Sequence, residues 1–378
     1  MKLTYKHIKL IAKCLTGFAI ISLTTLGLVW LTIKFPLSFE RFNVAQNIFE
    51  QYNLIDTYFT IYEKTKDADN YTDGIVIVDV AGVNDCDSLA KYIKMIWSAY
   101  PKVIGLDIHF DRLCDCSDTN LVQVLSTTPN LVTINHLTGS IKWNKFQEKQ
   151  KSFSECYNPV NSGFSNLVED KGYSAIYRKF TDYMFLDQDT VVKSFVSVIA
   201  QIAMPDKYKT LIQRTDTTEY INYTNEKIFV INTDSLSEKL YLLKDEIVLI
   251  GDLDDYKDKL ATPINPQMSG VEIHAYILST IQTGNYIKQM SERNSWILAF
   301  FIIILMAAFK YWINKNEWRS LFMPLFQLTI ILLGIFVGYW SFIEFHYYIP
   351  VIHILIGMAI VGFPYDLYYK ILKTIHKK

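Results

Sequence analysis

The hydrophobic positions of this chain are concentrated in four long runs. These runs cover about residues 14–33, 296–313, 321–342 and 349–365. Each is close to the roughly 20 apolar residues that an α-helix needs to cross a hydrocarbon core about 30 Å thick. The pattern therefore predicts four membrane-spanning helices, one near the start of the chain and three near its end.

Between the first and second runs, short apolar segments alternate with amphipathic ones. Helical spacing of apolar residues predicts helices at about residues 38–63, 87–100, 191–204 and 271–286. Short apolar, largely β-branched segments predict strands at residues 75–80, 102–110, 131–135, 227–232 and 247–250. Residues 163–183 are predicted to be loop and β-hairpin. Strands that are apolar on both faces and alternate with helices predict an α/β domain with a mainly parallel sheet flanked by helices.

The charges of the chain set its predicted orientation in the membrane. Lysine and arginine side chains cluster before the first apolar run, between the second and third, and after the fourth. Because basic flanks favour the cytoplasmic side, both termini are predicted to be cytoplasmic and the α/β domain to lie outside. The predicted layout is a cytoplasmic segment 1–13, a first span 14–33, an extracytoplasmic domain 34–293, three spans within 294–366 and a cytoplasmic segment 367–378.

Composition agrees with a membrane protein and excludes one class of partner. Hydrophobic residues make up 50% of the 378 residues, and the formal net charge is −1. Since no basic domain or stripe of Lys and Arg stands out, no nucleic-acid partner is predicted. A cleaved signal peptide is the alternative interpretation of the first apolar run, but the run is long and no small-x-small cleavage pattern follows it.

One stretch of the domain, residues 246–287, combines a strand, an acidic loop and a helix in a distinctive order. The strand ends at Ile250-Gly251, the loop reads Asp258-Lys-Leu-Ala-Thr-Pro263, and the helix begins Ser269-Gly-Val-Glu-Ile-His-Ala275. These three motifs, in this order, resemble the CHASE2 domain, an extracytoplasmic sensory module of bacterial receptors. Ser269 stands where that family usually has proline.

Two upstream segments also match this family. They are NLIDTYF, which begins at Asn53, and PKVIGLDIHF, which begins at Pro101. The resemblance implies a sensory domain followed by three membrane helices, in the inner membrane of a bacterium, with the main domain in the periplasm or outside. CHASE2 receptors usually continue into a cytoplasmic enzyme, whereas about a dozen residues follow the last apolar run here. A stand-alone form without a C-terminal effector is therefore expected.

Several polar side chains are predicted to meet at one edge of the sheet. Asp79, Asp107 and Asp252 each stand at the carboxyl end of a predicted strand, where open α/β sheets bind ligands. The complete set of candidate ligand-binding residues is Asp79, Asp107, Asp252, Asp258, Thr262 and His274. These carboxylates could bind a cation or act in acid–base chemistry. Equally, they could cap loop amides or form ion pairs, and His274 could be a core histidine.

Motifs with known chemistry are missing from the sequence. It contains no phosphate-binding loop, dinucleotide glycine fingerprint, zinc-protease helix or nucleophile elbow. No catalytic residue and no cofactor is therefore predicted. Asp56, in the first helix of the domain, is interpreted as a buried acceptor for nearby amides.

The five cysteines divide into one in the first span and four in the outer domain. Cys14 lies in the apolar run, and Cys86, Cys114, Cys116 and Cys156 lie in predicted loops. An even number in an oxidising compartment predicts two disulfides. The preferred pairing joins Cys86 to one of Cys114 and Cys116, and Cys156 to the other. Zinc binding by the Cys-x-Cys pair is the alternative, but no partner motif accompanies it, and no metal site is predicted.

Two functional hypotheses follow from these observations. In the first, the outer domain binds a ligand or an envelope protein, and the spans pass its state to a separate membrane or cytoplasmic partner without turnover. In the second, the protein is an envelope enzyme or assembly factor that uses the aspartate-lined crevice. The lipid bilayer is a predicted partner in both. The glycines of the spans allow close helix contact, which favours packing or homo-oligomerisation; they are Gly334, Gly338, Gly357 and Gly362.

Overall fold

The chain forms two compact units in the computed structural model. One comprises Ile55–Ile287, and the other comprises Met1–Leu54 together with Lys288–Lys378. The structure describes residues 5–34, 54–64, 70–83, 85–108, 119–140, 145–149, 161–168, 176–186, 190–214, 218–224, 226–313 and 322–375.

The first unit is built on a six-stranded parallel sheet. From one edge to the other its strands are β11 (Lys227–Asn232), β1 (Tyr71–Asp79), β12 (Ile247–Gly251), β2 (Val103–Asp107), β3 (Leu131–Asn135) and β6 (Asn161–Phe164). Every pair of neighbours is parallel. β12 and β3 are buried at every residue, as expected for strands covered by helices on both faces. The predicted α/β fold with a mainly parallel sheet is confirmed.

Helices cover both faces of this sheet. The helices of the α/β domain are α2 (Leu54–Glu63), α3 (Cys86–Ser98), α4 (Thr119–Thr127), α5 (Phe195–Ala203), α6 (Pro205–Ile212), α7 (Thr233–Lys239), which continues into a 3-10 turn (Leu240–Leu243), and α8 (Gly270–Thr283). On one face, α3, α4 and α7 share a buried core with sheet side chains such as Val78 and Ile104. On the other face, α5 and α8 pack on the sheet, and Gly105 leaves room there for Phe195 and Ile199.

Smaller sheets were not predicted. A four-stranded sheet has the order β4 (Leu137–Ser140), β5 (Lys145–Lys149), β8 (Tyr183–Leu186) and β9 (Thr190–Lys193). Two-stranded sheets join β7 (Lys179–Phe180) to β10 (Glu219–Tyr220) and β13 (Lys259–Leu260) to β14 (Met268–Ser269). The end of β6, β7 and the start of β8 fall in residues 163–183, which were predicted as loop and hairpin.

Strand β9 corrects the prediction of a helix over residues 191–204. The β-branched Val191 and Val192 are extended, as their restricted side chains favour. Helix α5 begins only after Ser194, whose side chain accepts a hydrogen bond from the Ser197 amide. The predicted helix over residues 38–63 is described from Leu54 onward, and its earlier part lies outside the described residues.

The second unit is a helix bundle. Its helices are α1 (Tyr5–Lys34), α9 (Glu292–Ile313), α10 (Phe322–Phe345), α11 (Ile352–Ile360) and α12 (Gly362–Ile375). A common buried core includes Ile21 of α1, Ile303 of α9 and Met358 of α11. Large apolar side chains also cover the outside of the bundle; Leu305 is 65% exposed and Phe336 is 64% exposed. An apolar exterior of this kind suits contact with lipid rather than water.

Two helices, not the predicted four, are long and apolar enough to cross a membrane among the described residues. They are Glu292–Trp312 and Leu325–Phe345, while Leu15–Leu31 of α1 is a shorter apolar helix. The fourth predicted span, residues 349–365, is divided between α11 and α12. Pro364 has no N–H to donate to the carbonyl of Ile360, which accounts for the interruption.

A short parallel pairing joins the start of α9 to the end of α10. It consists of β15 (Lys288–Gln289) and β16 (Tyr347–Tyr348). The Lys288 amide donates to the His346 carbonyl at 2.7 Å, and the Met290 amide donates to the Tyr348 carbonyl at 2.9 Å. These two helix ends therefore lie on the same side of the bundle, as they must if α9 and α10 cross a membrane in succession.

Candidate functional site

Helix α8 begins at the carboxyl edge of the parallel sheet. Ser269 caps it by accepting a hydrogen bond from the Glu272 amide, and the Glu272 carboxylate accepts one from the Ser269 amide at 2.9 Å. Val271 lies over Gly251, where an added Cβ would come within 2.8 Å of the Val271 side chain. The absence of a side chain at the end of β12 thus lets the first turn of α8 reach the strand ends.

Asp258 is bonded to the first residue of this helix. Its Oδ2 accepts a hydrogen bond from the Gly270 amide at 2.9 Å, and a Cβ at Gly270 would lie 2.6 Å from the same oxygen. Burial raises the pKa of Asp258 from 3.8 to about 6, against the lowering effect of the Gly270 N–H. The charges of Asp255 and Asp252 also raise this pKa, and the charge of Lys259 lowers it. The carboxylate is therefore held between a helix N-terminus that favours its charge and an environment that does not.

Asp107 and His274 lie beside each other in the interior at the same edge. Asp107 ends β2 in register with Gly251, and its Oδ2 is 3.9 Å from Nε2 of His274. Only 9% of the Asp107 side chain and 4% of the His274 side chain are exposed. Burial, reinforced by the charge of Asp258, raises the pKa of Asp107 well above its usual range. Burial lowers the pKa of His274 from 6.5 to about 4, so the imidazole is neutral at pH 7.

The imidazole is incompletely satisfied within the described residues. Its Nδ1 is buried without a hydrogen-bond partner there. Its ring packs edge-on against Phe195, with centroids 5.3 Å apart. Nε2 is too far from Asp107 for a hydrogen bond, and the neutral imidazole forms no ion pair with this carboxylate. Asp107, Asp258 and His274 together are called the carboxyl-edge cluster below.

Asp79 and Asp252 lie at the same edge but are engaged by loops. Oδ1 of Asp79 accepts hydrogen bonds from the Ala81 amide at 3.0 Å and the Leu253 amide at 3.1 Å. Oδ1 of Asp252 accepts one from the Asp254 amide at 2.8 Å. These contacts match the structural alternative, in which strand-end carboxylates cap loop amides.

Thr262 closes the loop that precedes α8. Its amide and its hydroxyl both donate to the Asn265 carbonyl, at 2.8 Å and 2.9 Å, and the Asn265 amide donates back to the hydroxyl at 3.1 Å. Thr262 is buried, and the next residue, Pro263, accepts a hydrogen bond from the Thr60 hydroxyl of α2 at 3.0 Å. Thr262 therefore shapes the turn, and the turn is tied to α2.

Asp56, predicted to be a buried acceptor for nearby amides, is bonded to a distant arginine side chain. Its carboxylate forms a bidentate ion pair with Arg178, with Nε–Oδ1 and Nη2–Oδ2 distances of 2.7 Å and 2.6 Å. Only 3% of the Arg178 side chain is exposed. Sequence reasoning missed Arg178 because the two residues are 122 positions apart and no local pattern marks the arginine as buried.

An aromatic contact links α2 to α8 near this ion pair. Tyr223 packs against Phe59 of α2 and Tyr276 of α8, with ring centroids 5.6 Å and 5.3 Å apart. Its hydroxyl donates to the Tyr177 carbonyl at 2.8 Å, next to Arg178. Burial raises the pKa of Tyr223 well above its usual value, so it remains a neutral donor.

The remaining predicted residues are only partly described. Cys86 is disulfide-bonded, and no bridge joins two described residues. Cys114, Cys116 and Cys156 lie outside the described residues, so their pairing and the second bridge stay predictions. Over the described part of the chain, no three His, Cys, Asp or Glu side chains are grouped so as to hold a metal ion.

The described residues thus combine an α/β domain, acidic side chains at the carboxyl edge of its sheet, and apolar helices that follow this domain in the chain. The CHASE2 domain family model matches residues 25–309, and the chain belongs to this family of sensory domains. No curated protein and no solved structure matches the chain.

Proposed function

We propose that this protein is a membrane-anchored sensor or scaffold whose outer domain binds a ligand or an envelope protein at the carboxyl-edge cluster. The observation that carries the proposal is the hydrogen bond from the Gly270 amide to Asp258, because it ties the cluster to the first residue of α8. Helix α8 ends at Thr283, and α9 begins nine positions later at Glu292. A change at the cluster therefore has a short covalent path to the first candidate span.

The proposed location is the inner membrane of a bacterium, with the α/β domain in the periplasm or outside and both termini in the cytoplasm. The basic flanks of the apolar runs support this orientation. The pairing of β15 with β16 supports successive crossings by α9 and α10, since it brings the start of α9 and the end of α10 to one side. Cytoplasmic termini also require α1 and the α11–α12 pair to cross, and both contribute to the same buried core as α9.

The output of the proposed sensor is a change in a separate membrane or cytoplasmic protein. An envelope enzyme or assembly factor is the second candidate, and the observation that favours it is the buried proximity of Asp107 to His274. A carboxylic acid and a neutral imidazole in one interior site could exchange protons with a substrate. The two candidates differ in whether the purified protein turns anything over alone.

Affinity purification of the full chain from its native membranes separates them. Wild type would be compared with Asp107→Asn, and with Asp206→Asn as a matched control, because Asp206 is 93% exposed in the first turn of α6. The sensor function predicts a co-purifying protein whose amount changes severalfold in Asp107→Asn and is unchanged in Asp206→Asn. A protein that catalyses a reaction by itself, and loses it in Asp107→Asn, would establish the enzyme instead.

A further inference from the structure

Three aromatic side chains are exposed at the amino edge of the main sheet, opposite the carboxyl-edge cluster. Trp97 is 46% exposed, Tyr100 is 77% exposed and Tyr241 is 75% exposed. Trp97 lies in the last turn of α3, Tyr100 follows that helix, and Tyr241 lies in the 3-10 turn after α7. The next strands are β2 and β12, which begin at Val103 and Ile247, so all three side chains precede strand starts. They are called the amino-edge aromatic patch below.

The two segments that carry this patch are held together and anchored in the domain. The Asp245 amide donates a hydrogen bond to the Tyr100 carbonyl at 3.1 Å, which joins the segment after α3 to the segment after α7. Leu240 and Leu242, on either side of Tyr241, pack against the buried core. The aromatic rings therefore belong to a fixed surface of the α/β domain.

The backbone of Tyr100 adopts a conformation that its side chain disfavours. Its φ is 58°, in the left-handed region, which a glycine or an asparagine adopts more readily than a bulky residue. The ring contributes little to the core, since the residue is 77% exposed. Strained residues of this kind cluster at functional sites. The exposed ring of Tyr100 therefore points to a partner outside the domain.

The chain leaves the α/β domain at this same edge. Helix α8 begins at the carboxyl edge, and its last turn lies beside the start of β1, where Nε2 of Gln282 donates to the Asp73 carbonyl at 3.1 Å. Asp73 precedes Ile75, the first residue of β1 that pairs with β12. The eight residues 284–291 then connect α8 to α9, and eight residues span at most about 30 Å. A membrane crossed by α9 is therefore within reach of the amino edge.

The chemistry of the patch suits a lipid surface. Trp and Tyr combine an apolar ring with a polar N–H or O–H and are enriched where a membrane meets water. The charged side chains beside the patch balance one another, since Lys102 and Lys244 are accompanied by Asp245 and Glu246. A surface that is aromatic and neutral needs no anionic lipid and fits zwitterionic headgroups.

We propose that the amino-edge aromatic patch docks on the headgroup region of the membrane that the apolar helices cross. This docking rests on the proposed membrane anchorage of the protein. The rings of Trp97, Tyr100 and Tyr241 lie among the headgroups, where their N–H and O–H groups find acceptors. The carboxyl edge of the sheet then faces away from the bilayer, which leaves that edge accessible to a ligand or an envelope protein.

Photo-crosslinking of the full chain in nanodiscs tests this contact. p-Benzoylphenylalanine, which keeps an aromatic ring, replaces Tyr100, Tyr241 or Tyr256, one at a time. Tyr256 is the matched control, because it is 77% exposed and lies in the loop after β12, at the carboxyl edge. The nanodiscs contain phosphatidylcholine alone, and lipid adducts are measured by mass spectrometry after irradiation. Severalfold more lipid adduct is expected at positions 100 and 241 than at position 256.

Equal lipid adducts at the three positions would overturn the proposal, as would crosslinks from positions 100 and 241 to a second copy of the chain in place of lipid. If the Tyr100 variant does not fold, the comparison of Tyr241 with Tyr256 decides alone. A wild-type chain that does not enter nanodiscs would overturn the membrane anchorage and the docking together. A chain that enters nanodiscs and gives equal adducts overturns the docking alone, so the two failures are distinguishable.

Discussion

The buried ion pair between Arg178 and Asp56 is expected to make a large contribution to the stability of the α/β domain. It is buried and bidentate. Replacing Arg178 with Met is expected to cost about 3–5 kcal/mol of stability, because the buried carboxylate of Asp56 loses the guanidinium that is paired with it. Urea unfolding of the full chain in micelles would measure this loss.

The matched control is the exposed pair between Lys209 and Asp206, whose side chains are 69% and 93% exposed. Lys209→Met should change stability by less than about 1 kcal/mol. If Arg178→Met and Lys209→Met lowered the stability by the same amount, burial would not determine how much the Arg178 pair contributes to stability.

His274 is expected to make the stability of the α/β domain depend on pH. Its folded pKa of about 4 lies below 6.5, so the stability it contributes is present above pH 6.5 and is lost as pH falls through about 4. Between pH 7.5 and pH 5 this loss is about 2 kcal/mol. His274→Gln should remove it, and the variant should gain on wild type at pH 5 relative to pH 7.5 in urea unfolding. A difference between the two proteins that does not vary with pH would contradict the buried, neutral state of this imidazole.

The sequence could predict where the site residues lie better than what they do. Asp79, Asp107 and Asp252 lie at strand ends because an aspartate following an apolar strand must emerge at the carboxyl edge. Asp79 is bonded to the Leu253 amide, whereas Asp107 faces His274. Those outcomes depend on loops that fold back from distant parts of the chain, and they leave no local signal.

At the scale of elements, the turn closed by Thr262 is expected to hold the first turns of α8 in place. Thr262→Ala removes the hydrogen bonds made by the side-chain hydroxyl to Asn265, each worth about 1 kcal/mol. Hydrogen exchange measured by mass spectrometry should then show reduced protection within Gly270–Thr283. Unchanged protection would mean that the turn does not support the helix.

The elements of the main sheet were predictable because burial on both faces leaves a simple pattern. The predicted strand at residues 131–135 coincides with β3, and that at residues 247–250 lacks only Gly251 of β12. β9 was mistaken for the start of a helix, since short apolar runs fit both structures. The break between α11 and α12 was missed because hydropathy does not register the hydrogen bond that Pro364 cannot donate.

At the scale of the whole molecule, the proposed orientation predicts opposite results for two reporter fusions. A reporter after Lys378 should be active only in the cytoplasm, and one inserted near Asn225 only outside, because the basic flanks hold the chain ends inside. Enzyme reporters specific for each compartment would be compared in the same host. With the α/β domain outside, an external C-terminus would require an even number of crossings after the domain, and the proposed layout would have to be replaced.

The central claim is that the carboxyl-edge cluster and the segment leading to α9 change together. Hydrogen exchange of residues 284–291 in the full chain, reconstituted in lipid nanodiscs, tests it most directly, since the amides of Lys288 and Met290 are hydrogen-bonded there. We expect Asp258→Asn to change their protection at pH 7.5 while Asp206→Asn leaves it as in wild type. A change confined to the loop before Gly270, with residues 284–291 unaffected, would contradict the claim.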